Sequence, residues 1–199
     1  MGGKYKLEGK NSIIAREMLK KVTNLLEAKG IQYWLEGGTL LGIIREDRLL
    51  PWDNDLDISL TEEYYDEILE AISDIKKLGY MVWTKELESN EPPFKKGLKR
   101  VLKIRNRRLH FIRGEVALDI FIKFKKGDEY FWQVGPRRKS VPAYFYETLK
   151  RHPFDGKEYL IPNKVEEYLT YRYGDWQTPI KDWDTCQDDS AIKGNIEKE

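Results

Sequence analysis

Apolar positions along residues 11–29 fall on one helical stripe: Ile14, Met18, Val22, Leu25 and Leu26, with Gly30 as the stop. Residues 31–36 form a short apolar run that reads as a strand, Gly37-Gly38 a tight turn, and residues 39–46 a short helix. Residues 48–54 form a loop containing Pro51, and residues 55–60 alternate as a second strand with Leu56, Ile58 and Leu60 inward. Thr61, followed by Glu62 and Glu63, predicts the cap of a long helix that runs to about residue 78 and closes at Gly79. Residues 80–86, 98–105 and 116–124 then read as strands, with 130–134 as a further one and a polar loop over 87–97. From residue 144 the pattern is irregular apart from a short helix at 163–172, and the last dozen residues read as polar and frayed. The order predicts an α+β fold with one mixed sheet flanked by helices.

The bulk numbers narrow the functional classes. A chain of 199 residues suits one domain with a small appendage, and would bury about 70% of its unfolded surface. Charged residues make up 35% of it, yet the net charge is only +1, so nucleic acid is not an expected partner. The single Cys186 excludes an internal disulfide or a cysteine metal cluster and fits a reducing, cytoplasmic compartment. No apolar run approaches the roughly 18 residues of a membrane span, and no secretory leader is expected. Six Trp and twelve Tyr supply core mass and also the material of ligand pockets.

The chemistry concentrates in Pro51-Trp52-Asp53-Asn54-Asp55-Leu56-Asp57-Ile58. Asp55 and Asp57 are two apart in a predicted strand, so both carboxylates share one face. Side by side they repel unless a cation lies between them. A hard divalent ion takes one or two such carboxylates and phosphate oxygens for the rest. Asp119 lies in an alternating strand where Val116, Leu118, Ile120 and Ile122 face the core, which puts Asp119 on the other face with Phe121 and Lys123. It is either half of a salt bridge within the sheet or the third carboxylate of a metal site. Glu36-Gly37-Gly38-Thr39 stands where a strand passes into a helix. That is either a plain turn or a phosphate cradle, since two glycines admit a ligand to the backbone and a helix start offers free N–H groups. Residues 95–108 hold Lys95, Lys96, Lys99, Arg100, Lys103, Arg105, Arg107 and Arg108 with no acid among them. Lys103 and Arg105 share a strand face, and Arg105 suits a diphosphate. Arg45 is placed either to clamp a phosphate or to pair with Asp53. His110 and His152 stand in no metal-ligand spacing and read as structural or exposed.

Three blocks together resemble the LicD family of phosphotransferases, related to the fukutin-type proteins. The first is Leu35-Glu36-Gly37-Gly38-Thr39-Leu40-Leu41-Gly42 with Arg45 and Pro51 to Ile58. The second is Lys103-Ile104-Arg105 with Leu118-Asp119-Ile120-Phe121, and the third is Val165-Glu166-Glu167-Tyr168-Leu169 leading to Arg172-Tyr173-Gly174-Asp175-Trp176. The resemblance implies a nucleotidyltransferase-like fold over residues 1–180 with a polar tail at 181–199. It also implies a Mg²⁺-dependent enzyme, with Mn²⁺ as a substitute ion. Such an enzyme passes a phospho-alcohol, phosphocholine in the best-known members and ribitol phosphate in the fukutin type, from a CDP-activated donor to a hydroxyl of a glycan or glycolipid, releasing CMP. By position, Asp55, Asp57 and Asp119 resemble the metal-binding catalytic carboxylates. Gly37, Gly38 and Thr39 resemble the phosphate-contacting turn, with Arg45, Lys103 and Arg105 beside the diphosphate. Asn54 stands where many members carry another Asp, and the fukutin-type zinc-binding insertion is missing. A lipid-linked acceptor would bring the protein to the inner face of a membrane without a spanning segment. Two other readings use the same residues: transfer of NMP from an NTP to a small molecule or protein, and an inactive nucleotide- or glycan-binding module. Arg172 to Trp176 either packs or closes over the nucleotide.

Overall fold

The computed structural model describes residues 5–109 and 112–196; His110 lies outside them. The long apolar stripe forms α1 (Lys10–Ala28), with Ala15, Met18, Leu19, Val22 and Leu26 buried. A short strand β1 (Trp34–Leu35) leads into α2 (Gly37–Glu46). The strand expected over 31–36 is therefore only two residues long, and the helix begins at the first glycine rather than after the second. Asp47 closes α2 in the left-handed region, which an aspartate tolerates.

β2 (Leu56–Thr61) follows the acidic loop. Thr61 does not cap the next helix. It ends β2, its hydroxyl bonds Glu63 Oε2 at 3.4 Å, and a 3-10 turn (Glu62–Tyr64) precedes α3 (Tyr65–Lys77). The chain continues through β3 (Met81–Glu86), β4 (Lys99–Arg108), β5 (Ile112–Lys126) and β6 (Glu129–Val134).

Sequence pattern alone does not show the rest: β7 (Arg137–Pro142), a one-turn α4 (Tyr144–Glu147), and the hairpin β8 (Leu149–Phe154) and β9 (Lys157–Pro162). After α5 (Val165–Tyr173) comes a last strand, β10 (Ile192–Asn195). The end of the chain is thus not a frayed tail through residue 196. β10 pairs antiparallel with β7, Ser190 N–H donates to the Arg172 carbonyl, and Asp189 is buried.

The main sheet is mixed. β2 and β5 run parallel, Leu56 beside Leu118 and Asp57 beside Asp119, while the other pairings are antiparallel. β5 is long enough to serve twice. Its middle pairs with β2 and β4, and residues 124–126 pair with β6, which carries the sheet on to β7 and β10. Leu56, Ile58 and Leu60 with Leu118, Ile120 and Ile122 are buried, and α1 packs on β5 and on α3. Alternation then sends Asp57 and Asp119 to the opposite face. Apolar packing of one face therefore fixes the direction of both carboxylates.

Candidate active site

On that opposite face lies a cavity of about 530 Å³. Its floor holds Gly37, Gly38, Asp53, Asp55, Asp57 and Asp119, and Trp52, Tyr173, Trp176, Lys181 and Trp183 stand among its walls. One oxygen each from Asp55, Asp57 and Asp119 lies within 4.8 Å of the others. The parallel register of β2 and β5 places Asp57 directly beside Asp119, and Asp55 precedes the first residue of β2.

The electrostatics are those of a site that lacks positive charge. Burial, and then repulsion from Asp53 and Asp119, pushes Asp55 up to about 7. Burial raises Asp53 to about 6, and burial with repulsion from Asp55 and Asp119 raises Asp57 well above the carboxylate range. Lys103, across the strand pair, ion-pairs with Asp119 Oδ2, while Asp119 Oδ1 is buried without a hydrogen-bond partner among the described residues. The donor set is all carboxylate oxygen, crowded and partly unsatisfied. It fits a hard divalent cation held by Asp55, Asp57 and Asp119.

The glycine turn fits against these acids at close range. Gly37 sits at φ +56°, and a Cβ there would come within 2.4 Å of Asp57 Oδ2. A Cβ on Gly38 would come within 1.9 Å of Asp53 Oδ2. Thr39 is buried, and its Oγ1 accepts the Asp57 N–H at 2.9 Å, so its hydroxyl fixes β2 rather than facing the cavity. Arg45 does not pair with Asp53. It chelates Glu46 (2.9 and 2.6 Å) and donates to the Trp176 carbonyl (3.1 Å) while lining the cavity beside Trp52. Arg105 donates to the Glu115 carbonyl (2.9 Å); neither it nor Lys103 is among the cavity-lining residues.

Below the turn lies a buried ion network that pattern reading did not find. Glu36, the N-cap of α2, accepts from Gly37 N–H (3.1 Å), Trp34 Nε1 (3.3 Å), Ser59 Oγ (3.2 Å), Arg172 Nη1 (2.8 Å) and the Tyr168 hydroxyl. Lys123, fully buried, ion-pairs with it at 3.1 Å and lies over the Trp132 ring. Arg172 also holds Asp189 in a two-pronged pair (2.7 and 2.6 Å), and Lys139 meets the same carboxylate at 2.7 Å. Burial opposes charge on Glu36, but Lys123 and Arg172 outweigh it and hold the carboxyl well below its usual range. Asp53 also lines the cavity beside the three clustered aspartates, whereas the acidic run offers it only as a partner for Arg45. The walls at Tyr173 to Thr185 had only the Tyr-Gly-Asp-Trp segment as a signal.

Among curated proteins, an uncharacterized protein of Rickettsia prowazekii, RP689, is 28% identical over 178 residues, 87% of this chain and 59% of its own length. Ribitol 5-phosphate transferase FKRP of Homo sapiens is 28% identical over 174 residues, 80% of this chain and 31% of its own. Ribitol-5-phosphate transferase FKTN of Homo sapiens is 26% identical over 187 residues, 91% of this chain and 37% of its own. The chain thus spans between about a third and three fifths of the length of these relatives. A solved structure, ANT(2")-Ia in complex with adenylyl-2"-tobramycin, aligns with a TM-score of 0.49 at 16% identity, covering 85% of this chain and 81% of that one. The family model described as LicD/FKTN/FKRP, nucleotidyltransferase domain, matches residues 30–164, which hold all three clustered aspartates and the glycine turn, and the chain belongs to that family.

Proposed function

We propose that this domain is a divalent-metal-dependent transferase that moves a phospho-alcohol from a CDP-activated donor to a hydroxyl of a glycan or glycolipid, releasing CMP. The observation that carries the reading is the Asp55–Asp57–Asp119 cluster, with oxygens within 4.8 Å, facing a Gly37-Gly38 helix start in one cavity. Its relatives named as ribitol 5-phosphate transferases favour a polyol as the alcohol over choline. Arg45 and Lys181 both lie over the Trp52 ring, at 6.0 and 5.5 Å, and would repel a quaternary ammonium there.

When bound, Mg²⁺ or Mn²⁺ would neutralise charge on the donor diphosphate and polarise the phosphoryl group. The chain's own residues do the rest. Gly37 and Gly38, lacking side chains, admit phosphate to the free N–H groups of α2. Arg45 stands at the cavity wall as a cationic partner for the diphosphate, and Lys103 holds one oxygen of Asp119 while the other, without a hydrogen-bond partner among the described residues, is left for the ion. The tryptophan walls offer flat apolar surface to the base or the sugar. No helix among the described residues is long and apolar enough to cross a membrane.

The test is a thermal-shift screen of CDP, CMP, CDP-ribitol, CDP-choline, ATP and UTP, each with Mg²⁺ and with EDTA. A ligand at about 100 times its Kd should stabilise by roughly 2.7 kcal/mol. Metal-dependent stabilisation by cytidine nucleotides, strongest for a CDP-polyol, is the expected result. A response to ATP or UTP alone would replace it with nucleotidyl transfer. Silence across the panel would favour a binding module.

A further inference from the structure

The cavity has two unlike parts. Its floor, the glycine turn and the acids, lies within residues 30–164, the stretch that the family model matches. One wall comes from residues 173–185, beyond that stretch. Chemistry shared by the family belongs to the floor, and the wall is where this chain can select its own substrate.

Some wall residues hold the wall in shape. Thr178 Oγ1 donates to Asp175 (2.7 Å), and Trp176 Nε1 donates to Thr170 (3.2 Å). Asp184 accepts from Cys186 N–H (2.7 Å) and Gln187 Nε2 (2.8 Å). Thr185 accepts at 2.7 Å from Lys139, the fully buried cation that also meets Asp189. The wall is thereby tied to the ion network beneath the glycine turn.

Other groups at the cavity are left free. Among the described residues, the Asp182 carboxylate, the Lys181 ammonium, the Tyr173 hydroxyl and the indole N–H groups of Trp52 and Trp183 have no hydrogen-bond partner, and all five side chains line the cavity. The Tyr173 and Trp183 rings lie together, with centroids 4.5 Å apart. Four of the six tryptophans of the chain line this one cavity.

Flat rings beside unpaired donors and an unpaired carboxylate suit a ligand with an apolar face and a polar rim. A pyranose is such a ligand: its C–H face buries against a ring, while its hydroxyls donate to a carboxylate and accept from N–H groups. A nucleotide base also stacks, but its polar atoms lie along one edge and would leave most of these five groups unmatched. Charge narrows the sugar further. Residues 173–185 carry Asp175, Asp182 and Asp184 against Lys181 alone, beside a floor of four more aspartates. A sugar bearing a carboxylate or phosphate would meet like charge there.

We infer that residues 173–185 form the acceptor subsite and select an uncharged pyranose, with Tyr173 and Trp183 as the stacking surface and Asp182 as the acceptor of its hydroxyl protons. Its role as acceptor rests on the transferase reading above; the recognition of the sugar is tested without turnover.

The experiment is a titration of the full chain, followed by saturation-transfer NMR in the presence of CMP and Mg²⁺. The probes are methyl glucoside, methyl galactoside, N-acetylglucosamine, N-acetylgalactosamine and glucuronic acid. The variants are Asp182→Asn and Trp183→Leu, and the thermal shift given by CMP with Mg²⁺ is recorded for each protein. Asp182 is exposed, so its variant keeps the test open if the tryptophan variant folds poorly. At least one neutral sugar should bind about tenfold or more tighter than glucuronic acid. Each variant should weaken that sugar by about fivefold or more and leave the CMP shift unchanged. Silence of every neutral sugar would overturn the inference, whatever CMP does. So would glucuronic acid binding as tightly as the neutral sugars, or loss of the CMP shift in the variants, which would give the wall to the base. A wild type that binds a neutral sugar through these residues but ignores CMP would support the subsite and count against the CDP donor alone.

Discussion

Gly37 and Asp57 are fitted to each other, and the fit is measurable. Alanine at 37 meets the left-handed φ of +56° and an Asp57 oxygen 2.4 Å from its Cβ. The backbone term alone costs about 1–2 kcal/mol, and the contact must swing the Asp57 carboxylate away from Asp55 and Asp119. Gly37→Ala should therefore fold with a lowered melting temperature and lose its Mg²⁺-dependent thermal shift. An unchanged shift would show that the turn does not set the position of the acid. Asp57→Asn tests the acid itself. Removing a buried, repelling carboxyl should raise the metal-free melting temperature, while turnover falls by roughly 10³-fold or more, the scale of several kcal/mol of lost transition-state stabilisation. A variant that kept its Mg²⁺ response would remove Asp57 from the metal site. Both residues are legible in the sequence, because alternation in a strand and a Gly-Gly pair where a strand passes into a helix are local signals. Lys123 and Lys139 are not. A lysine reads as surface, yet both are fully buried, and only the carboxylates Glu36 and Asp189, distant in sequence, explain why.

Among the elements, α2, α5 and the C-terminal segment are joined by charge as well as by the shared apolar core. Glu36 heads α2, Arg172 lies in the last turn of α5, and Asp189 precedes β10, with Arg172 bridging the two acids. Glu36→Gln leaves Lys123 and Arg172 short of a counter-charge. Losing one partner of a buried set costs about 3–5 kcal/mol, read as a lower urea midpoint. Pairing the change with Lys123→Met should recover part of that loss, and strictly additive effects would argue against the coupling. Such connections explain which elements pattern reading found. α1, α3, β2 and β5 have clean periods because one face of each is buried. β8 and β9 form their own two-stranded sheet. β8 carries Lys150, Arg151 and Pro153 on largely exposed positions, so it shows no alternation. β7 begins Arg-Arg-Lys, and β10 is four residues with a bulge at Gly194. In neither does local composition announce a strand; ion pairs create them, together with the edge of β6 for β7 and the edge of β7 for β10.

Across the whole molecule, the clustered acids make metal and pH interchangeable stabilisers. Asp55 is raised from 3.8 to about 7 and Asp53 from 3.8 to about 6. A raised carboxyl binds its proton more tightly in the folded state, so its stabilising contribution is complete below pH 3.8 and lost as pH rises through 6 to 7. Lys123, lowered from 10.5 to about 7 by burial, acts in the opposite sense and only above that pH. In EDTA the acid cluster should therefore make the protein progressively less stable from about pH 5 to 7. Mg²⁺ should stabilise it more at neutral pH than at acidic pH, as seen in melting curves across that range. A Mg²⁺ effect independent of pH would contradict the assignment of these acids as its ligands. The bridge from Glu36 through Arg172 to Asp189 has a further consequence, for synthesis. A nascent chain that has emerged through residue 150 already carries Gly37, Gly38, Asp55, Asp57 and Asp119. The Arg172 and Asp189 that balance the charge beneath that turn are still to come. Until they arrive, Lys123 is the only one of the turn's two basic partners in place, so the acidic face can be held in its final form only once residue 189 has emerged.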